Sequence, residues 1–160
     1  MSGGLTLTTA IAAYKDALYS LCQTLWPVAS STVLVSYGNP GMNQPPDIVA
    51  IMDVTSDQVI ATLGNLRQRE ETLTCKIIVS CFRAGNADND KVPFDAAVAL
   101  LAMIENSVRP TTGDTTLGGT VRECFMTTVV STAAADPQLL AMGRTVELEA
   151  TFTAHVRVTS

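Results

Sequence analysis

Charge is scarce in this chain. Only 16% of its 160 residues are Asp, Glu, Lys or Arg, against a usual share of about 25%. So low a content suits a surface that is covered by other subunits, and equally an ordinary Ala- and Thr-rich exterior. The few bases are not clustered: residues 1–80 hold six acids and four bases and residues 81–160 nine and six, for a net charge of −5. That excludes a protein gripping nucleic acid through massed Lys and Arg, and leaves open one that DNA slides past. Aromatic residues make up 5%, too few to supply stacking platforms for a sugar. There is one histidine, His155, so any histidine-dependent triad must use it, and no nucleophile elbow accompanies it. The four cysteines, Cys22, Cys75, Cys81 and Cys124, are widely spaced with no C-x-x-C and no adjacent histidine. They read as small core residues in a reducing compartment, not as a disulfide framework or a zinc site. No apolar run nears the roughly 18 residues of a membrane span, and Met1 to Thr9 lacks the basic start of a signal peptide, so a cytoplasmic site of synthesis is expected.

What is present is alternation. From Val146 to Val158 every even residue is apolar, while Glu147, Glu149, Thr151, Thr153, His155 and Arg157 occupy the odd positions. A period of two is a β-strand with one dry and one wet face, here over Arg144 to Ser160. A second long strand is expected over Glu71–Arg83, with Leu73, Cys75, Ile77, Val79 and Cys81 inward. The two should pair antiparallel in one sheet. Shorter strands are expected at Thr32–Tyr37, Asp47–Val54 (buried on both faces or nearly so) and Thr120–Ser131, and Thr55–Arg69 reads as a helical turn or, in preference, an irregular edge. Apolar spacings of three and four predict a helix over Thr9–Trp26, capped by Thr8 or Thr9 and stopped by Pro27. A second helix opens at Asp90 and Pro93, ends at Pro110, and should present Phe94, Ala97, Val98, Leu101, Ile104 and Val108 inward. The expected fold is α+β, a single domain over residues 1–160 with an antiparallel or mixed sheet and both helices on one face.

Candidate chemistry is thin. Asp88 and Asp90 resemble the start of a calcium loop, but Lys91, Val92 and Pro93 follow where glycine and a bidentate glutamate belong, so a helix entrance accounts for them. Glu147 and Glu149 share a face at a spacing of about 6–7 Å, reachable for glycoside chemistry. Without aromatic platforms a solvated or pore-facing acidic stripe is more economical. No metal, cofactor or catalytic residue is called. Arg67, Arg69, Glu70 and Glu71 form the densest charge cluster. They read either as a solvated hairpin end with weak ion pairs or as a contact surface.

Several pieces in order carry a resemblance: A-I-A-A-Y-K-D-A-L, V-L-V-S-Y-G-N-P-G, D-V-T-S-D-Q, L-G-N-L-R-Q-R-E-E-T-L-T, I-I-V-S-C-F-R-A-G and T-L-G-G-T-V-R-E-C. Together they resemble the tail-terminator (tail-completion) proteins of long-tailed bacteriophages over nearly the whole chain, least at Ala133–Gly143. The resemblance implies a non-enzymatic virion protein, assembled in the bacterial host cytoplasm as a hexameric ring on the head-proximal end of the tail tube. Such a ring stops tube polymerisation and presents a joining surface to a head–tail connector. It implies as partners further copies of the chain and the tube protein, with no membrane, and DNA passing through a negative lumen without specific binding. Arg67, Arg69, Glu70 and Glu71 are then expected at inter-subunit or tube contacts. Another neck or head-completion connector, or the tube subunit, remains an alternative reading; a small ligand-binding or enzymatic domain is a remote one.

Overall fold

The computed structural model describes residues 9–41, 44–60, 68–84, 90–133, 140 and 142–159. Its elements run α1 (Ile11–Leu25), β1 (Leu34–Tyr37), β2 (Asp47–Ile60), β3 (Gln68–Ala84), α2 (Lys91–Val108), β4 (Glu123–Ala133) and β5 (Gly143–Thr159). The strands form one mixed sheet in the order β1-β2-β3-β5-β4. β1 lies parallel to β2 and every other neighbour is antiparallel. The fold is α+β, with both helices on one face of the sheet.

The two long alternating segments are the central pair. Every residue of β3 from Gln68 to Ala84 is matched to a residue of β5 from Thr159 to Gly143, without a register break. Because side chains alternate, this register delivers Leu73, Cys75, Ile77, Val79 and Cys81 to the same face as Ala154, Phe152, Ala150, Leu148 and Val146, and all ten are buried. The other face carries Thr72, Thr74, Lys76, Thr151 and Thr153 together with the half-buried Ile78 and Phe82, and is mostly wet.

The helices cover the dry face. α1 sends Tyr14, Leu18 and Cys22 into the core, and Trp26 closes one end at 6% exposure, just before Pro27 turns the chain. Tyr14 is placed by a polar tip: its hydroxyl donates to the Phe152 carbonyl at 2.9 Å, which satisfies a group whose burial would otherwise be costly. α2 buries Pro93, Ala97, Leu101, Ile104 and Val108. Phe94 and Val98, expected in this stripe, lie a turn-face to one side and stay 39% and 42% exposed. Six apolar positions at three-and-four spacing span a wider arc than the sheet covers, and sequence spacing does not say which flank is left out.

β2 is longer than expected. It continues through Thr55–Ile60, read from sequence as irregular, and a bulge between Ile51 and Val54 explains the broken pattern. Before the bulge Val49 and Ile51 oppose Val79 and Ile77; after it Val54 opposes Cys75 and Ser56 opposes Leu73. The inward parity therefore switches from odd to even, which hides alternation in the sequence. Ile48 and Ala50 are buried on the opposite face as well, beside Asn39, Pro40 and Gln44 of the loop that follows β1. β4 begins at Glu123 and ends at Ala133, a few residues later than expected, and has its own bulge between Met126 and Thr128. For the Ala133–Gly143 connection the sequence offers a helical turn capped by Asp136-Pro137, and those two residues lie outside the described ones.

Gly143 opens β5 opposite Ala84. A Cβ there would sit 2.2 Å from the Arg83 carbonyl oxygen and 2.8 Å from the Ala84 Cα, so the backbones meet at a distance only glycine permits. Gly143→Ala is expected to lower stability by about 2 kcal/mol, the usual cost of overpacking. The midpoint of urea denaturation measures it, and an unchanged midpoint contradicts the close approach.

Candidate assembly surface

The charge cluster at the start of β3 is divided by the pleat. Glu71 points to the helix face and is fully buried; Glu70, one residue earlier, points to the wet face. Glu71 accepts hydrogen bonds from the Thr9 and Ser56 hydroxyls, from the Ala10 backbone N–H at 2.9 Å and from Gln58 Nε2 at 3.3 Å. A carboxylate from a distant strand thus does the work expected of Thr8 or Thr9. The N-cap position is Ala10, without a side-chain cap of its own. Thr9 instead accepts from the Ile11 N–H at 3.2 Å, and Thr8 lies outside the described residues. Burial raises the Glu71 pKa, but the donors from Ser56, Thr9, Ala10 and Gln58 outweigh it and hold the carboxyl below its ordinary 4.5. The partial positive charge of the α1 N-terminus favours the same ionised form.

Glu70 is shared by two arginines on the wet side. Arg157, directly opposite on β5, donates through Nη2 at 2.9 Å and Nε at 3.2 Å. Arg122, just before β4, donates at 2.8 and 3.1 Å to the two carboxylate oxygens. The hydrogen bond from Arg157, with the charge of Arg122 behind it, keeps Glu70 ionised to lower pH than a free glutamate. Arg69 Nη1 donates to Gln58 Oε1 at 3.3 Å, extending the Glu71 arrangement. Arg67 lies outside the described residues. Neither arginine partner was called from sequence, since only the β3–β5 and β4–β5 registers together bring positions 70, 122 and 157 to one place.

Elsewhere the described residues offer little reaction chemistry. His155 has Thr72 Oγ1 at 3.4 Å from Nδ1 and the Phe125 ring at 5.9 Å, with no carboxylate among the partners seen. Glu149 is paired with Lys76 at 3.4 Å. All four cysteines are free and buried; burial pushes Cys22, Cys75 and Cys81 up to about 12 and Cys124 to about 11, so at neutral pH they are thiols and poor nucleophiles. Asp90 stands at the N-cap position of α2 near Arg144, while Asp88 lies outside the described residues. No group of three or more potential metal ligands is found among the described residues, and no helix among them is long and apolar enough to cross a membrane.

The unspent surface is the β4 flank. β4 is an outer strand, and its residues from Thr127 to Ala133 are exposed. Beside it Phe94, Val98, Leu101, Met126, Val129 and Leu148 line a groove of about 330 Å³, rimmed by Glu105 and Arg109. The two rim residues are paired with each other, Arg109 Nη2 lying 2.8 Å from Glu105 Oε1. On the far side of the strand Phe125 and Val130 are 41% and 52% exposed. Apolar side chains therefore surround a row of unpaired backbone donors and acceptors, the usual make-up of a surface that pairs with another chain.

No family model matches this chain, and no curated protein matches it. Among solved structures it is similar to a chain of the virion of a native gene transfer agent particle. That likeness has 14% sequence identity and a TM-score of 0.49, and it covers 94% of this chain and 98% of the other.

The Glu71 geometry fixes a dependence on pH. Its folded pKa lies below the unfolded value, so its contribution is fully present above about pH 4.5 and is lost as pH falls through the folded pKa. Glu71→Gln is expected to cost about 2 kcal/mol at pH 7, because a neutral amide replaces an anion aimed at four donors. It should also flatten the acid limb of the stability curve, leaving the slope that Glu70 and Asp114, both likewise lowered, still supply. Urea titrations between pH 3 and 7 test this; equal wild-type and variant slopes would refute it.

Proposed function

We propose that this chain is a structural protein of a phage-like virion, a tail terminator. As a single-domain subunit it forms a homohexameric ring at the head-proximal end of the tail tube, ends tube polymerisation and provides the surface on which head and tail join. DNA passes through the ring without specific binding, and no reaction is catalysed. The observation that carries the reading is the resemblance along nearly the whole sequence, and the places where its less ordinary pieces fall support it. Tyr37 to Gly41 ends the outer strand β1, with Gly38 and Gly41 at positive φ. Arg69 to Thr72 open the central strand. Thr116 to Val121 form the turn into β4, where the Asp114 carboxylate accepts from the Thr116 and Gly118 N–H groups at 2.9 and 2.8 Å. The turn backbone holds Leu117, Gly118 and Gly119 at positive φ.

Within this reading Arg69 and Glu70, with Arg122 and Arg157, contribute directly to inter-subunit or tube contacts, and Arg67 belongs to the same cluster in sequence. Glu71 contributes indirectly, by holding α1 against the sheet. The contrasting reading, an enzyme or ligand-binding domain, calls for a concave polar pocket. The described residues offer an apolar groove beside an open strand edge, which favours assembly, and a smaller polar hollow at Asn39, Gln44, Ser80 and Glu147. A tube subunit or a neck connector shares the ring and differs in what the ring does next.

Negative-stain microscopy separates these readings. The purified protein is expected to give six-fold rings alone or on tube ends, and growing tubes to which it is added should stop lengthening, with one end capped. Long tubes from the protein by itself would assign it as a tube subunit, and rings that ignore tubes would assign it to the neck. A chain that stays monomeric in both settings would overturn the ring.

A further inference from the structure

The two outer strands of the sheet lie in stretches of sequence poor in charge. From Ala17 to Pro46 there is no charged residue, and from Cys124 to Ala135 there is none. The first stretch contains β1 and the second nearly all of β4, the two ends of the sheet order. Exposed strand edges are ordinarily guarded by lysine or other charges, and this protein guards neither in that way. Several charges near these flanks are held within the chain. Lys15 lies 4.4 Å over the Tyr37 ring, Tyr37 donates to Asp16 at 2.9 Å, and Arg109 holds Glu105.

We propose that the α2/β4 flank of one copy receives the α1/β1 flank of the next, so that β1 of the neighbour continues the sheet beyond β4. This deepens the ring reading above and rests on it. Three observations select a second copy as the occupant. The first is electrostatic: copies that each carry −5 repel one another, and the contact of least repulsion joins the flanks whose outer strands are poorest in charge. The second is direction. β1 runs with β2, and each step through β3, β5 and β4 reverses, so β1 and β4 point opposite ways. A neighbour generated by rotation about an axis along the strands therefore offers β4 an antiparallel partner, the more stable pairing. The third is shape. The α1–β1 connection carries Val28 at 87% exposure, an apolar knob at one flank, and the groove beside β4 is an apolar hollow at the other. Knob and hollow on opposite flanks give a head-to-tail contact, which repeats and closes into a ring.

Two exposed substitutions test it, Val28→Glu on one flank and Val129→Glu on the other, each read by light scattering. Each variant alone is expected to fall from ring mass to single-chain mass, with circular dichroism and thermal melting as in the wild type. Mixed in equal amounts they should form a one-to-one dimer that grows no further. The Val28→Glu chain keeps a working α2/β4 flank and the Val129→Glu chain a working α1/β1 flank. Thr128→Lys, on the β4 edge itself, replaces Val129→Glu in a second mixture if the latter melts abnormally. Variants that still form rings, or a mixture that stays monomeric, overturn the flank pairing and leave the ring standing. Wild-type protein that forms no ring, alone or on tubes, overturns both.

Discussion

The pairing of β3 with β5 is the constraint on which everything else hangs. It fixes a dry face and a wet face over the full length of both strands, and each remaining element takes its place from that division. β2 and β4 add to the outer edges of the pair, and the helices lie on its apolar side. Tyr14 reaches the Phe152 carbonyl because β5 presents it there. Glu70 meets Arg157 because the two positions are opposite in the same ladder, and Glu71 turns inward because it is the next residue along.

Glu71 shows how such a ladder places a charge where hydrophobicity alone would not. An ionised carboxylate without partners is expelled from a core, since the cost of its desolvation is several kcal/mol. Here the expelling force is countered by donors from two separate elements, the first residues before α1 and the second half of β2. The site therefore ties three pieces of chain at one point. The two residues before it, Arg69 and Glu70, remain partly exposed to solvent. One dense run of charge thus holds a structural residue and surface residues side by side.

How much of this is legible in the sequence depends on whether the pattern is local. The two long strands are, because a period of two over Val146–Val158 or Leu73–Cys81 admits no other conformation, and Pro27 and Pro110 mark helix ends by steric rules that act within a residue or two. The second half of β2 is not, because a bulge after Ile51 moves the inward positions from odd to even and the segment then reads as irregular. The cap of α1 is not, because its acceptor comes from a strand more than sixty residues away. Phe94 and Val98 sit on a correctly read helix, yet their exposure depends on how far the sheet extends beneath α2, which no helical periodicity records. The β4 flank was missed for the same reason, since strand order decides which strand has an open edge.

The central place of β5 also bears on how the chain comes to fold. β5 follows every other strand in sequence, yet it lies between two of them. Until it emerges from the ribosome, β3 has a partner on one side only, and β4, whose sole neighbour is β5, has none. The contacts it finally makes join residues as far apart as Gln68 and Thr159, and closing loops of that size is slow. The chain is therefore synthesised with the strand that joins β4 to the sheet still missing. The β4 edge comes into being at the same moment as the completed sheet.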